Sequence, residues 1–519
     1  MKYKNYNLIA CYCFLFIGLL YVIKTYSSNI ADFGNYYYGS KLFLNNLFTK
    51  EMYTSLHYFN CEIGKLGETN YFENYIPVPP ITAILYTPLC FLKPLVAKCI
   101  FNVLSLLFFC FSLYRLLSFL NVKQTIIILL PFLFLIPLYN NIYQGQSYLL
   151  ICSGIMLAYI YSENNKVQAP AIIIAICVSL KIFPAFILLY FILTKRYKVA
   201  AYTILYVFIL FLITVTFINI NTVIFYYLEV LPRLIDNDII GSYSSINQSI
   251  FSLLINLFTE NGIEKTTTLI NYPIFVPIIE AIFISGVLYY LYANKHSNSF
   301  FLYGLVLFSS SLVNRYNTTY SLILLIPFLM YILNKFELNR FYVVLLILFL
   351  ISINIPIGNL IHHSIVLRFS RIILFLLIFV FVLTKFKVDI KLKPLFCIIG
   401  CAFTIKYFTF NIIPANYFEV QNSKGILYDI HLDNNTLILK STLGQNNSIE
   451  AINLKGNARF DPNLLCIDNV LKFKNKVICN TPDNKSKPFI YNDSLVVFMS
   501  DLNQGVRFYK LRYIYLQNL

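Results

Sequence analysis

Charge is what this chain lacks most. Of its 519 residues only 12% are Asp, Glu, Lys or Arg, while 58% are hydrophobic. A soluble domain carries about a quarter charged residues, so a water-soluble fold is excluded for most of the chain. Tryptophan is absent; beside abundant Asn, Ile and Lys, that absence reads as codon bias and excludes no function. There is no CxxC pair and no His-rich cluster, so a metal site is not indicated. The 12 cysteines are scattered, mostly in apolar runs such as those holding Cys11, Cys13, Cys110 and Cys152, where they serve as small hydrophobes. No A-x-A-like site follows the apolar run 8–23 behind Lys2 and Lys4, and the run is long for a secretory signal. It reads as an uncleaved first span.

What is present is a succession of apolar stretches, each near the roughly 20 residues that cross a hydrocarbon core about 30 Å thick. Spans are predicted at 8–26, 95–119, 124–139, 147–162, 169–181, 184–194, 199–219, 274–293, 299–313, 319–333, 341–356, 368–385 and 394–413, or 13 in all. Segments 169–181 and 184–194 are each too short to cross alone and read as a broken pair meeting at Lys181-Ile182-Phe183-Pro184. Such irregular backbone is tolerated only where protein or a water-filled cavity satisfies it.

The net charge is +17. In a soluble protein that would point to nucleic acid, but here the basic residues concentrate in short loops, and no nucleic-acid partner is expected. With the N-terminus in the cytoplasm, the inside loops hold Lys2, Lys4, Lys123, Lys166, Lys195, Arg196, Lys198, Lys295, Lys335, Arg340, Lys385, Lys387, Lys391 and Lys393. The long outside loops, 27–76 and 220–273, hold the acids Asp32, Glu51, Glu62, Glu68, Glu73, Glu229, Asp236, Asp238, Glu260 and Glu264. The opposite orientation breaks the positive-inside rule at nearly every loop. The expected location is therefore the plasma membrane, multi-pass, with the C-terminal region extracytoplasmic. That region, 414–519, is polar, with short alternating runs divided by Asn, Asp and Gly, and reads as a small all-β domain. Its ending, 494–516, looks like one hairpin of a propeller blade, but about 40 residues per blade leave too little chain for a propeller, so a small sandwich is expected. Cys466 and Cys479 are candidates to pair there, in a compartment that permits disulfides.

The polar motifs gather on the outer side. Ala31-Asp32-Phe33-Gly34-Asn35-Tyr36-Tyr37-Tyr38 lies just beyond the first span. Asp32 there is either a base for a hydroxyl proton or the N-cap of a short interfacial helix, and the tyrosines are either substrate contacts or an interfacial belt. Tyr75-Ile76-Pro77-Val78-Pro79-Pro80 returns the chain to the membrane, and Tyr143-Gln144-Gly145-Gln146-Ser147 joins two spans with an amide able to bind sugar hydroxyls or simply to turn. Lys181, at membrane depth, marks a functional site or a pair by default; an anionic lipid phosphate is a natural partner, and snorkelling to the surface is the alternative. Ser244-Ser245-Ile246-Asn247-Gln248-Ser249 lies in the second outer loop, and Asn314-Arg315-Tyr316-Asn317-Thr318-Thr319-Tyr320 offers a guanidinium fork suited to phosphate. Asp236-Asn237-Asp238 is a lone D-x-D in an acidic loop and weak evidence for metal.

The order of these motifs resembles glycosyltransferase family 87, over roughly residues 8–340. The aspartate with Phe and a Tyr pair, Tyr-x-Pro-x-Pro, Gly-Gln, Lys-x-x-Pro and Asn-Gln-Ser follow one another as in that family. The resemblance implies a GT-C fold over 1–413, all-α and polytopic, with 414–519 outside it. It implies an inverting transferase that moves a hexose, mannose above all, from a polyprenyl-phosphate sugar to a glycan or glycolipid acceptor at the outer face, without a cofactor. Carried over, Asp32 is the base, Lys181 or Arg315 meets the donor phosphate, and Tyr36, Tyr37, Tyr75, Gln146, Asn247 and Gln248 contact substrate. The chain departs from the family where a His is often found after a Ser-Pro, since Ser309-Ser310-Ser311 leads here into Asn314-Arg315-Tyr316. A transporter or flippase of lipid-linked sugars, or a polysaccharide polymerase, is the alternative; the first should show an internal repeat, which the sequence lacks, and the second does not explain the Asp32 motif.

Overall fold

The computed structural model describes residues 2–54, 56–67, 73–122, 125–235, 244–259, 269–334, 340–360, 363–385, 418–419, 426–433, 436–443, 446–454, 457–467, 470–474, 476–479, 485–500 and 510–516. The expected last span 394–413 and the Asp236-Asn237-Asp238 motif lie outside the described residues.

Up to residue 385 the described chain is helical. Most of these helices are apolar on every side, so both the bundle interior and the lipid can receive them. Leu104, Phe111, Ile204, Phe208, Leu212 and Ile282 remain largely exposed on the outer surfaces, as side chains facing acyl chains would. Among the described residues, Tyr6–Thr25, Pro94–Phe119, Tyr197–Phe217 and Phe275–Ala293 are long and apolar enough to cross a membrane alone. Thr125–Leu133 and Leu135–Gln144 pass the same test only as a pair, bent by 48° at the break, a geometry shared by a broken span and a re-entrant loop. The chain is a membrane protein.

The remaining apolar helices are short: Tyr148–Glu163, Gln168–Leu180, Phe183–Leu193, Ser299–Val313, Thr319–Asn334, Phe341–Ile353 and Ser370–Leu383. A helix end in a water-poor setting leaves backbone groups that need partners, and side-chain amides supply them. At the 48° bend, Asn354 accepts from the Ile136 N–H at 3.2 Å and donates to the Leu133 carbonyl at 2.9 Å. Asn102 donates to the Ile142 carbonyl at 2.9 Å, and Asn141 to the Tyr320 carbonyl at 2.7 Å. The fully buried Arg371 ties three segments, donating to the Ser352 carbonyl at 3.1 Å, the Ile355 carbonyl at 2.7 Å and the Thr319 hydroxyl at 2.8 Å.

The helix ends form two faces. On one, the Arg196 guanidinium pairs with Glu163 at 2.6 Å and donates to Ser162 at 2.9 Å, while Tyr190 and Ser299 donate to the same carboxylate at 2.7 and 2.8 Å. This knot fastens three of the short basic connections to one another. The other face carries the polar motifs.

The C-terminal region is all-β. A five-stranded antiparallel sheet runs in the order Phe418–Glu419, Lys510–Tyr515, Leu495–Ser500, Lys485–Tyr491, Ala458–Arg459. Two three-stranded sheets, Ile426–Asp433 to Asn446–Asn453 and Leu464–Ile467 to Lys476–Cys479, cover its faces. Period-two alternation explains the arrangement: Val497 and Met499 pack with Leu427, Leu437 and Leu439, while Val496 and Phe498 pack with Leu464, Leu471 and Ile478. The expected sandwich therefore has three layers, and the expected terminal hairpin is Leu495–Ser500 against Lys510–Tyr515. Cys466 and Cys479 do not bond to each other. Both stand opposite Leu471 on the strands flanking it, two strand spacings or about 10 Å apart, beyond the ~7 Å a disulfide tolerates. The Leu56–Lys65 helix, from the stretch between the first two long helices, packs against the Ile426–Asp433 strand, so the β region sits on the face of the polar motifs.

Candidate functional site

The first span ends at Thr25, and the chain reverses through a turn in which Ala31 adopts φ +53°. A left-handed alanine is strained by about 1 kcal/mol, and the strain falls one residue before Asp32. The Phe33–Leu44 helix then begins, with Asp32 at its N-cap position, yet the carboxylate makes no capping hydrogen bond. Instead Asp32 accepts from the Gln146 amide nitrogen at 2.8 Å, and Gln146 in turn accepts from the Tyr36 hydroxyl at 3.0 Å. The cap reading therefore has no side-chain hydrogen bond behind it.

Gly145 makes this contact possible. It terminates the Leu135–Gln144 helix at φ +64°, and a Cβ there would lie 2.6 Å from Phe33 Cβ. Only glycine combines that backbone with that approach, and the turn delivers Gln146 beneath Asp32.

Asp32, Tyr36 and Gln146 form part of the wall of a cavity of about 800 Å³, a size that suits a small-molecule or cofactor-sized ligand. Lys181 joins them. It ends the Gln168–Leu180 helix in extended conformation, before Pro184 opens the next helical turn, so the expected break at Lys181-Ile182-Phe183-Pro184 is real. Its ammonium lies 5.7 Å from the Tyr36 ring centre and 6.0 Å from that of Tyr148. Among the described residues no carboxylate pairs with it. A cation held by aromatic faces rather than by an acid stays available to an anion.

Two later motifs also contribute to the wall and meet through backbone: the Gln248 N–H donates to the Asn317 carbonyl at 2.9 Å. Asn247 and Arg315 both line the cavity. Arg315 forms a two-pronged pair with Glu280, at 2.8 Å from Nε and 2.7 Å from Nη2, and its guanidinium lies 3.9 Å from the Phe251 ring centre. The lining also includes apolar side chains, among them Phe183, Phe186, Leu231, Leu234 and Ile284.

Of the residues expected from sequence, Asp32, Tyr36, Gln146, Lys181, Asn247 and Arg315 line this one cavity, whereas Tyr37, Tyr75 and Gln248 do not. Tyr37 donates to the Leu92 carbonyl at 2.8 Å. Tyr75 is packed among Phe48, Tyr53 and Phe59, against the Cα of Gly39, with its hydroxyl 3.0 Å from that of Thr82; it is the following Pro77-Val78-Pro79 that reaches the cavity. Gln248 donates to the Ser245 and Arg368 carbonyls at 2.5 and 2.8 Å, and Ser249 caps the Ile250–Phe258 helix by accepting from the Ser252 N–H at 3.1 Å. The Asn-Gln-Ser motif thus sends one residue into the cavity and uses two to hold the loop.

Asn35, Tyr316 and Tyr320, from the polar motifs, also line the cavity, as do Tyr148, Asn74 and Glu280, which lie outside those motifs. Glu280 had a readable signal: it is the lone charge in the Phe275–Ala293 helix, and an acid within a span is by default functional or paired.

The family model of glycosyltransferase family 87 matches residues 78–313, the family that the order of motifs resembles. No curated protein and no solved structure matches the chain. The match indicates a glycosyltransferase. It includes Gln146, Lys181 and Asn247 but begins after Asp32, so Asp32 enters the site through its contact with Gln146 rather than through the match.

Proposed function

With residues 78–313 matching glycosyltransferase family 87, we propose that the chain is an inverting transferase that moves a hexose, mannose by the resemblance, from a polyprenyl-phosphate sugar to a glycan or glycolipid acceptor at the outer face of the plasma membrane. The observation that carries this reading is a single cavity lined by Asp32 and Lys181 together with apolar side chains such as Phe183, Phe186, Leu231 and Ile284. That combination suits a ligand with a lipid tail, an anionic head and a hydroxyl to be deprotonated.

In the proposed step the acceptor hydroxyl oxygen attacks the anomeric carbon of the donor sugar from the face opposite the phosphate. Asp32 takes the hydroxyl proton, the new C–O bond forms, and the old C–O bond breaks with its electron pair passing to the phosphate. Configuration inverts once. Polyprenyl phosphate departs as an anion, so one carboxylate suffices, unlike the pair used in glycoside hydrolysis. Lys181 stabilises the charge that grows on the phosphate, the kind of placement that contributes most to catalysis. Of the two cations expected to meet phosphate, Lys181 is the better suited, because Arg315 is already engaged by Glu280. Gln146 holds the base, and Tyr36 holds Gln146.

The test is transfer from polyprenyl-phosphate-mannose to candidate acceptors. Asp32→Asn and Asp32→Ala should lower turnover by about 10²–10⁴-fold, the span of general-base contributions, while leaving donor binding within a few-fold. Full turnover by both variants would remove Asp32 from the role of base. A flippase would move the lipid-linked sugar across vesicles without forming a glycosidic bond.

A further inference from the structure

The two cations facing the cavity are electrostatically unlike. Lys181 has no carboxylate partner among the described residues and is flanked by aromatic rings. Arg315 is neutralised by Glu280 through two parallel bonds, with side-chain exposures of 11% and 2%. The pair is rigid: the carboxylate fixes two nitrogens in one plane, and the Phe251 ring lies 3.9 Å from the guanidinium carbon. Glu280 comes from the Phe275–Ala293 helix and Arg315 from the turn after Ser299–Val313, so two separate helices commit a residue each to it.

We propose that the Arg315–Glu280 pair is a hydroxyl-reading fork for an uncharged hexose, and that it takes no part in holding phosphate. An anion brought to Arg315 would also meet the adjoining Glu280 carboxylate, whose charge offsets that of the guanidinium. Neighbouring sugar hydroxyls need the opposite arrangement: a strong acceptor beside a strong donor, both immobile, so that one hydroxyl donates to the carboxylate and the next accepts from the guanidinium. Hydrogen bonds to ionised groups are about twice as strong as neutral ones. A site built to bond a hydroxyl rejects the analogue lacking it far more strongly than an apolar pocket can. Within the cavity, phosphate then falls to Lys181 and the sugar to the Arg315–Glu280 fork. This inference rests on the transferase reading for the presence of the phosphate, but the fork itself is judged by sugar binding. The sugar is that of the donor or that of the acceptor, since both offer the same hydroxyl chemistry.

The experiment uses the full chain in lipid nanodiscs. It measures affinity for polyprenyl phosphate, affinity for polyprenyl-phosphate-mannose, and binding of methyl α-mannoside, for the wild type, Glu280→Gln, Arg315→Lys and Lys181→Ala. If the fork holds the donor sugar, Glu280→Gln and Arg315→Lys weaken polyprenyl-phosphate-mannose at least tenfold and leave polyprenyl phosphate within twofold. If it holds the acceptor sugar, both polyprenyl ligands are unchanged and methyl α-mannoside weakens at least tenfold. Lys181→Ala should weaken both polyprenyl ligands by a common factor. Arg315→Lys keeps an ion pair with Glu280 and loses the two-pronged geometry, so it separates recognition from a failure to fold, with thermal unfolding as the control. Equal weakening of polyprenyl phosphate and polyprenyl-phosphate-mannose by the fork variants would overturn the proposal, as would no change in any ligand. If the wild type bound neither polyprenyl ligand, the donor reading would fall. Methyl α-mannoside binding that depends on Glu280 would still support the fork, and its absence would sink it.

Discussion

Gln146 holds two groups with one amide. Its oxygen takes the Tyr36 hydroxyl and its nitrogen reaches Asp32, so the orientation of that amide is fixed by what lies on either side. Gln146→Met keeps the volume and removes both bonds. Turnover should fall about 10- to 100-fold, the scale of a misplaced catalytic group, with the donor KM changed by less than threefold, read from initial transfer rates. Arg371 is a buried cation that serves backbone carbonyls and Thr319. Arg371→Met orphans these acceptors at roughly 1–3 kcal/mol each, and thermal unfolding in detergent should show a loss of at least about 3 kcal/mol, partly restored by Arg371→Lys. The sequence pointed to Asp32, Lys181 and Gln146 because each carries a polar group at a depth where polar groups are scarce. It did not separate Asn247, which faces the cavity, from Gln248, which faces the backbone, because an amide binds a hydroxyl or a carbonyl with the same atoms. Glu280 is legible as the lone acid of its helix, a signal that hydropathy and motif order do not use.

At the scale of elements, the breaks matter more than the helices. Hydropathy located the apolar segments to within a few residues wherever the structure describes them, because apolarity is a property of composition along the chain. It predicted 124–139 where the helical stretch continues to Gln144, since the last turn carries Asn140, Asn141 and Gln144 and loses the apolar signal. The bend near Phe134 was hidden because its compensating residue, Asn354, is more than two hundred positions away. Asn354→Leu should leave the Leu133 carbonyl and the Ile136 N–H without that partner and destabilise the protein by about 2–4 kcal/mol, measured by thermal unfolding. Gly145→Ala forces a left-handed alanine against Phe33; activity should drop more than stability, because the turn that moves is the one carrying Gln146.

For the whole molecule, the three-layered β region and the cavity share one face, joined where Leu56–Lys65 meets Ile426–Asp433. Cys61 stands at that junction, exposed on its helix and near Lys440 and Asp429. Burial raises its thiol above the ordinary 9.0, with the Lys440 charge opposing the rise. A raised thiol pKa means little thiolate at neutral pH, so alkylation of Cys61 by a membrane-impermeant maleimide should be slow at pH 7 and still climbing beyond pH 9. Mass spectrometry of the labelled peptide from intact cells reads this, and no labelling at any pH from outside would contradict an outer location for this face. The short helices carry a last consequence. Phe341–Ile353 presents Val344, Ile347, Leu350 and Ile351 outward, yet at 1.5 Å per residue it is only about 20 Å long against an acyl region near 30 Å. A lipid bilayer meeting that flank has to pinch inward, at a fraction of a kcal/mol per Å of mismatch. The protein then carries its own local dimple, and the proposed transfer rate in vesicles of graded acyl length should peak in bilayers thinner than average.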